Sequence, residues 1–126
     1  MGIDIDKFTA HLRKNACARS QGRCARWVRQ ALEAGGATTS GYPIYAKDWG
    51  PTLVRIGFQP LSIDKLDQLN FKKGDVVVLQ PHKSGNPAGH IAGFDGKSWI
   101  SDFIQNDIWS GPGYRKEKPS YVVYRP

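Results

Sequence analysis

Two residues have the types and settings that nucleophilic amide chemistry needs. Cys24 opens a segment that reads as a helix, Cys24-Ala25-Arg26-Trp27-Val28, and Arg23 and Arg26 flank it. In a helix's first turn the unpaired backbone N–H groups and the dipole favour negative charge. A thiol so placed is expected to ionise more easily than usual, and the thiolate is the reactive form. The competing role for Cys24 is that of a small hydrophobe at the start of the helix's core stripe. A nucleophile also needs a base. Of the three histidines only His90 opens a strand-like segment, Gly89-His90-Ile91-Ala92-Gly93, whereas His11 lies on the polar side of a helix and His82 in the loop PHKSGNPAG. Taken singly, His90 is as well read as an incidental strand histidine.

The elements that must position this pair follow from periodicity. The chain has 126 residues, 40% of them hydrophobic, enough for one core but not comfortably for two, so residues 1–126 are read as a single domain. Ile5, Phe8, Leu12 and Ala16 recur at helical spacing and predict an amphipathic helix over residues 4–16, with Asp4 as its cap. A second helix is predicted over residues 22–34, with Cys24, Trp27, Val28, Ala31 and Leu32 as its apolar stripe and Gly35-Gly36 as its stop. Gly and Pro break residues 37–69 into turns or short helical pieces. The period then changes. Residues 75–80 contain Val76-Val77-Val78, His90–Phe94 is a short apolar run, residues 97–103 alternate through Trp99, Ser101 and Phe103, and Tyr121–Arg125 makes a last strand. Asp95-Gly96 is a hairpin signal. Helices first and strands after give an α+β fold, with the N-terminal helices on one face of an antiparallel sheet.

Charge and cysteine content narrow the function classes. Eighteen Lys and Arg against eleven Asp and Glu give +7, which suits a polyanionic partner such as nucleic acid, acidic membrane or an anionic cell wall. The basic residues are scattered, without a run of five, so nucleic acid is not the expected partner. No segment approaches the roughly 18 apolar residues of a membrane span, and membrane insertion is not expected. The N-terminus carries Asp4 and Asp6 where a signal peptide would be basic and then apolar. Cys17 and Cys24 are too few for a disulfide scaffold and lack the spacing of a zinc site, so no metal is expected.

Three local patterns occur in order: the cysteine opening a helix, Lys73-Gly74-Asp75-Val76-Val77 leading into the first strand, and Gly89-His90-Ile91-Ala92 on the next. Together, across residues 22–103, they resemble the papain-like cell-wall hydrolases of the NlpC/P60 and CHAP group. The resemblance implies a papain-like domain and a cysteine peptidase or amidase that cleaves an amide of bacterial peptidoglycan without metal or organic cofactor. It makes Cys24 the nucleophile, His90 its base and Asp102, twelve positions after His90, the residue that orients the imidazole. The backbone N–H of Cys24 would be half of an oxyanion hole. The side-chain half is unassigned, because Arg23 stands where CHAP sequences carry Gln, and Ala25-Arg26 where NlpC/P60 sequences carry Ser-Gly.

The place of Asp102 is a matter of strand parity. A two-residue loop at Asp95-Gly96 sets Ser101 opposite His90, whereas a three-residue loop or one bulge sets Asp102 there. The second register is expected, since a carboxylate suits an imidazolium better than a hydroxyl does. Trp109 and Tyr114, around Ser110-Gly111-Pro112-Gly113, are expected to wall the substrate groove, and Trp27 and Trp99 to lie in the core. A small hydrolase of this kind also resembles the amidase toxins that bacteria inject into neighbours, or a phage-derived lysin. The former implies export by a specialised route, action at the cell wall or periplasm, and a dedicated inhibitor (immunity) protein; a monomer is expected. Two rival readings remain. One keeps the catalytic pair in an acyltransferase or lipid hydrolase, and the other is a noncatalytic module that binds wall or nucleic acid.

Overall fold

A computed structural model describes residues 2–61 and 71–126. In chain order the elements are α1 (Ile5–Asn15), α2 (Cys24–Ala34), a 3-10 turn (Ala46–Asp48), α3 (Gly50–Arg55), β1 (Gln59–Pro60), β2 (Val76–Leu79), β3 (His90–Phe94), β4 (Trp99–Ile100), α4 (Pro112–Glu117) and β5 (Tyr121–Arg125). Asp4 caps α1 by accepting the Lys7 N–H at 3.0 Å. At the start of α2, Arg23 supplies no side-chain cap, so the first amides of that helix have no side-chain acceptor at the N-cap. Part of the hard-to-read stretch, residues 62–69, lies outside the described residues. None of the helices among the described residues is long and apolar enough to cross a membrane.

The five strands form an antiparallel sheet in the order β1-β5-β2-β3-β4. Every residue of β2 is buried, which is why Val76-Val77-Val78 shows no polar alternation: both faces of the central strand are covered. Phe8, Leu12, Val28, Leu32, Trp49 and Leu53 pack against Val76, Val78 and Ile91 on the helical face. The alternate residues Val77, Leu79, Ala92 and Val123 join Trp99 and Tyr114 on the other. Helix and sheet approach closely at Gly93, where a Cβ would come within 2.6 Å of Leu12 and 2.9 Å of Phe8. Burying these side chains removes apolar surface worth roughly 25 cal/mol per Å², and α1 and α2 are held to β3 by it.

The carboxylate of the Lys73-Gly74-Asp75 turn has a structural task. Asp75 is fully buried, accepts the Lys72 N–H at 2.8 Å, and takes Arg125 Nε at 2.9 Å and Nη2 at 2.8 Å. This fork ties the start of β2 to the end of β5.

The hairpin differs from both expected registers. Phe94 pairs with Trp99 and Gly93 with Ile100, so the loop has four residues, 95–98, closed by Asp95 Oδ1 accepting the N–H groups of Lys97 at 2.9 Å and Ser98 at 2.8 Å. The strand then stops at Ile100 instead of running to residue 103. The chain reverses there, with Ile100 bridging Ile104, the Ser101 N–H on the Phe103 carbonyl at 3.0 Å and the Gln105 N–H on the Trp99 carbonyl at 2.8 Å. No ladder reaches Ser101 or Asp102, so neither stands opposite His90. The Gly/Pro-rich segment before β5, read as loop, contains α4, which starts with Pro112 where a missing N–H costs nothing.

Candidate active site

Cys24 is the first residue of α2 and His90 the first of β3. Gly89 makes the second placement achievable. It sits at φ +74°, and a Cβ there would meet the Leu79 carbonyl at 2.5 Å and Lys47 at 2.9 Å, so only glycine lets the chain turn into the strand so close to β2. Cys24, half-buried, and His90, 7% exposed, line one cleft of about 420 Å³ together with Arg23, Arg26, Ile44 and Tyr114.

The imidazole is held by Gln105. His90 Nε2 lies 2.7 Å from Gln105 Oε1, and the Gln105 amide nitrogen donates to the Asp107 carbonyl at 3.0 Å. With its nitrogen so engaged, Gln105 presents an oxygen that can only accept, which puts the imidazole proton on Nε2 and leaves Nδ1 as the lone pair. Gln105 is itself buried.

Burial pushes the Cys24 thiol up. The backbone N–H groups of Ile91, Ala25 and Cys24 pull it down, and the Asp102 charge adds to the rise. Burial pulls His90 below the usual imidazole range, against the Gln105 hydrogen bond and the Asp102 charge. The resting pair is therefore a neutral thiol beside a neutral imidazole. This corrects the expectation of an easily ionised thiol: the helix-start amides act as expected, but desolvation outweighs them.

Tyr114, from α4, closes the cleft. Its ring centroid lies 6.0 Å from that of His90, and burial, with the Cys24 charge as a smaller cause, pushes its phenol up to about 12. At neutral pH it is a protonated donor. Behind it the His82 ring meets Tyr114 edge-on at 4.6 Å and fills the space a Cβ on Gly85 or Gly113 would take. Glu117 accepts from Lys83 N at 3.1 Å and Ser84 Oγ at 3.2 Å and pairs with His82 Nδ1 at 3.2 Å. The loop leading to β3 is thus tied to the helix that carries Tyr114.

The structure brings Cys24, His90 and Tyr114 together and separates two other expected residues from the cleft. Asp102 does not bond the imidazole. It is fully buried, and its Oδ2 accepts the N–H groups of Gln21 at 2.8 Å and Arg23 at 2.9 Å, while Oδ1 takes the Ser101 hydroxyl at 3.3 Å. Its carbonyl accepts the Cys17 N–H at 2.7 Å. The carboxylate fixes the segment that leads into α2, because the reversal after Ile100 carries it to the turn. Trp109 lies away from the cleft, edge-on to Tyr121 at 5.5 Å, beside Phe71, Phe94 and Trp99 around a separate cavity. Trp99 is buried as expected. Trp27 is half-buried and donates from Nε1 to the Asn15 carbonyl at 2.8 Å, tying α2 to α1. Cys17 and Cys24 are both free thiols, and no group of three or more His, Cys, Asp or Glu among the described residues could hold a metal ion.

Gln105 was not singled out in the sequence. The available signal was Ser101-Asp102, two residue types that favour turns. Read as a reversal, they move the next polar side chain able to face His90 beyond the turn.

No family model and no curated protein matches the chain. Two solved structures do. One is the type VI native effector-immunity complex Tae3-Tai3 from Ralstonia pickettii, with 38% identity over 97% of this chain and 98% of that one, and a TM-score of 0.85. The other is the selenomethionine form of the same complex, with 40% identity over 94% and 98% and a TM-score of 0.84. At that identity and coverage, with a close match of fold to the effector Tae3, the chain belongs to the Tae3 family of type VI effectors.

Proposed function

We propose that this chain is a single-domain, papain-like cysteine amidase that hydrolyses an amide in bacterial peptidoglycan peptides, delivered as a type VI toxin to the periplasm of a neighbouring cell. Tae effectors are peptidoglycan amidases, and the family membership supports the substrate class. The observation that carries the mechanism is the Gln105 hydrogen bond to His90 Nε2, since it frees Nδ1 to act as the base in the cleft that Cys24 shares.

The chemistry proceeds in two halves. The substrate carbonyl enters the cleft, and His90 Nδ1 takes the thiol proton as Cys24 Sγ attacks the carbonyl carbon. Because both groups rest neutral, proton transfer accompanies attack and does not precede it. The backbone N–H of Cys24 donates to the developing oxyanion, and the Tyr114 phenol offers a second donor in the cleft. Imidazolium then protonates the leaving amine. Water, deprotonated by His90, releases the acyl group and restores the thiol. Gln105 holds the ring throughout. The +7 charge favours accumulation on an anionic wall, an effect that salt weakens. A producing cell needs protection, and an inhibitor playing the part of Tai3 is the expected partner.

Digestion of purified peptidoglycan, with mass spectrometry of the released fragments, tests the reading. New amine and carboxylate ends are expected with the wild-type protein and none with Cys24→Ala or His90→Ala. Equal digestion by folded Cys24→Ala overturns it.

A further inference from the structure

A second cleft, of about 440 Å³, adjoins the first, and the two share Ala25, Arg26 and Ile44. Trp49 lines it and is fully buried, with Tyr42 stacked on it at 6.0 Å and the Arg29 guanidinium 4.4 Å from the centre of the Tyr42 ring. Two features of this lining are unusual. The Trp49 Nε1–H is buried without an acceptor among the described residues, although native interiors pair nearly all such donors. Arg26 enters none of the ion pairs among those residues, and Arg29 pairs only with Glu33, at 3.2 Å. Among the described residues no acidic side chain lines either cleft. The charged groups here are therefore donors only, close to the positive end of α2, and beside them Ile44 stands 85% exposed on the shared rim.

We propose that the second cleft is a substrate subsite for a peptide carboxylate, with Arg26 as its principal ligand. This rests on reading the first cleft as an amidase site acting on stem peptides, which carry free carboxylates. A guanidinium fork matches a carboxylate in two parallel hydrogen bonds. Arg26 borders both clefts, so a carboxylate bound there fixes which way the peptide runs past Cys24. Arg29 adds charge without a direct bond, and Ile44 and Pro43 cover the aliphatic stem beside the carboxylate. The side chain thereby selects for acidic over amidated peptides at a position to one side of the scissile bond.

Calorimetric binding to the Cys24→Ala protein tests this independently of turnover. The probes are purified cross-linked muropeptides and the same muropeptides with their carboxylates converted to carboxamides. The native peptides are expected to bind about tenfold more tightly, as suits one charge-assisted pair near the surface. Adding Arg26→Gln should erase that preference, whereas Lys14→Gln on α1, an identical change in net charge outside both clefts, should keep it. Equal affinity for the two probes, no binding of either, or equal losses from Arg26→Gln and Lys14→Gln overturns the subsite. Wild-type digestion of peptidoglycan, measured in parallel, decides the amidase reading separately, since a protein that binds the carboxylate and cuts nothing keeps the subsite and loses the activity.

Discussion

Replacing Gln105 with Ala removes the acceptor from His90 Nε2 without touching the thiol or the base nitrogen. The bond is 2.7 Å long and both side chains are buried, so water does not readily substitute. In the resting state the loss leaves a neutral N–H unpaired, at a cost of about 1–3 kcal/mol in stability. In the transition state the ring is an imidazolium, and a hydrogen bond to a charged group is worth about 1.5–3 kcal/mol. Only the excess of the second loss over the first raises the barrier, at most about 2 kcal/mol, so at 1.36 kcal/mol per factor of ten kcat should fall by up to about 30-fold, with KM little changed because Gln105 does not line the cleft. The assay is steady-state hydrolysis of a soluble cross-linked muropeptide, run well below the variant's melting temperature. Gln105→Glu separates orientation from charge: a carboxylate on Nε2 stabilises imidazolium, raises the His90 pKa and should move the acid limb of the rate profile to higher pH. Near wild-type turnover by folded Gln105→Ala, alongside inactivity of an equally stable Asp102→Ala, would refute this assignment and return the orienting role to Asp102.

Asp102→Ala should instead act on stability. It removes two carboxylate hydrogen bonds from the Gln21 and Arg23 amides, both on exposed residues that water can reach, so a loss of about 2–3 kcal/mol in a urea titration is expected, near the low end for such bonds. The pH profile of kcat/KM should keep its acid limb below the ordinary imidazole value of about 6.5, because burial lowers His90 and the neutral base survives to lower pH; an acid limb at or above that value contradicts the neutral-pair reading. The same shift makes the unfolded chain bind its proton first as pH falls, so the His90 contribution to stability is intact above about 6.5 and declines below it. Alkylation of Cys24 by iodoacetamide should be slow at neutral pH and accelerate above the ordinary thiol range, since burial raises its pKa. Cys17→Ser should retain activity, because the described contacts of this residue are a backbone bridge to Phe103, the backbone bond to Asp102 and a 4.0 Å thiol contact to Asn15.

The parts that could be read from sequence share a physical cause. α1, α2, β2, β3 and β5 are long enough for periodicity and bounded by residues with clear local preferences, such as Asp4, Gly35 and Gly89, and they lie within two residues of the expected spans. α4 has six residues, too few for a period, and its Gly and Pro content reads as loop. Alternation through Trp99, Ser101 and Phe103 continues beyond Ile100, where the backbone ladder ends, and so predicts a longer strand than the one that forms. In the turn the alternation no longer tracks burial, since Ile100, Ser101 and Asp102 are all fully buried and Phe103 is half-buried. A period-two pattern therefore does not by itself separate a strand from a turn that is buried on every side.

That distinction decides the third residue of the site. Cys24 and His90 are set by local signals at the starts of two elements. The orienting residue depends on where the chain reverses, and the reversal is fixed by contacts far away in sequence: Asp102 gripping the amides before α2 and the Cys17 bridge to Phe103. One turn therefore serves both residues, with Asp102 holding the approach to Cys24 and Gln105, three residues on, holding the His90 ring. The exchange has an electrostatic consequence. A carboxylate bonded directly to His90 would favour imidazolium and draw the pair toward thiolate and imidazolium. A neutral amide there, with the carboxylate engaged by backbone N–H groups, leaves burial as the first cause of the shift at both groups, and it favours the uncharged pair; in the proposed mechanism the charges then arise only as the sulfur meets a substrate carbonyl.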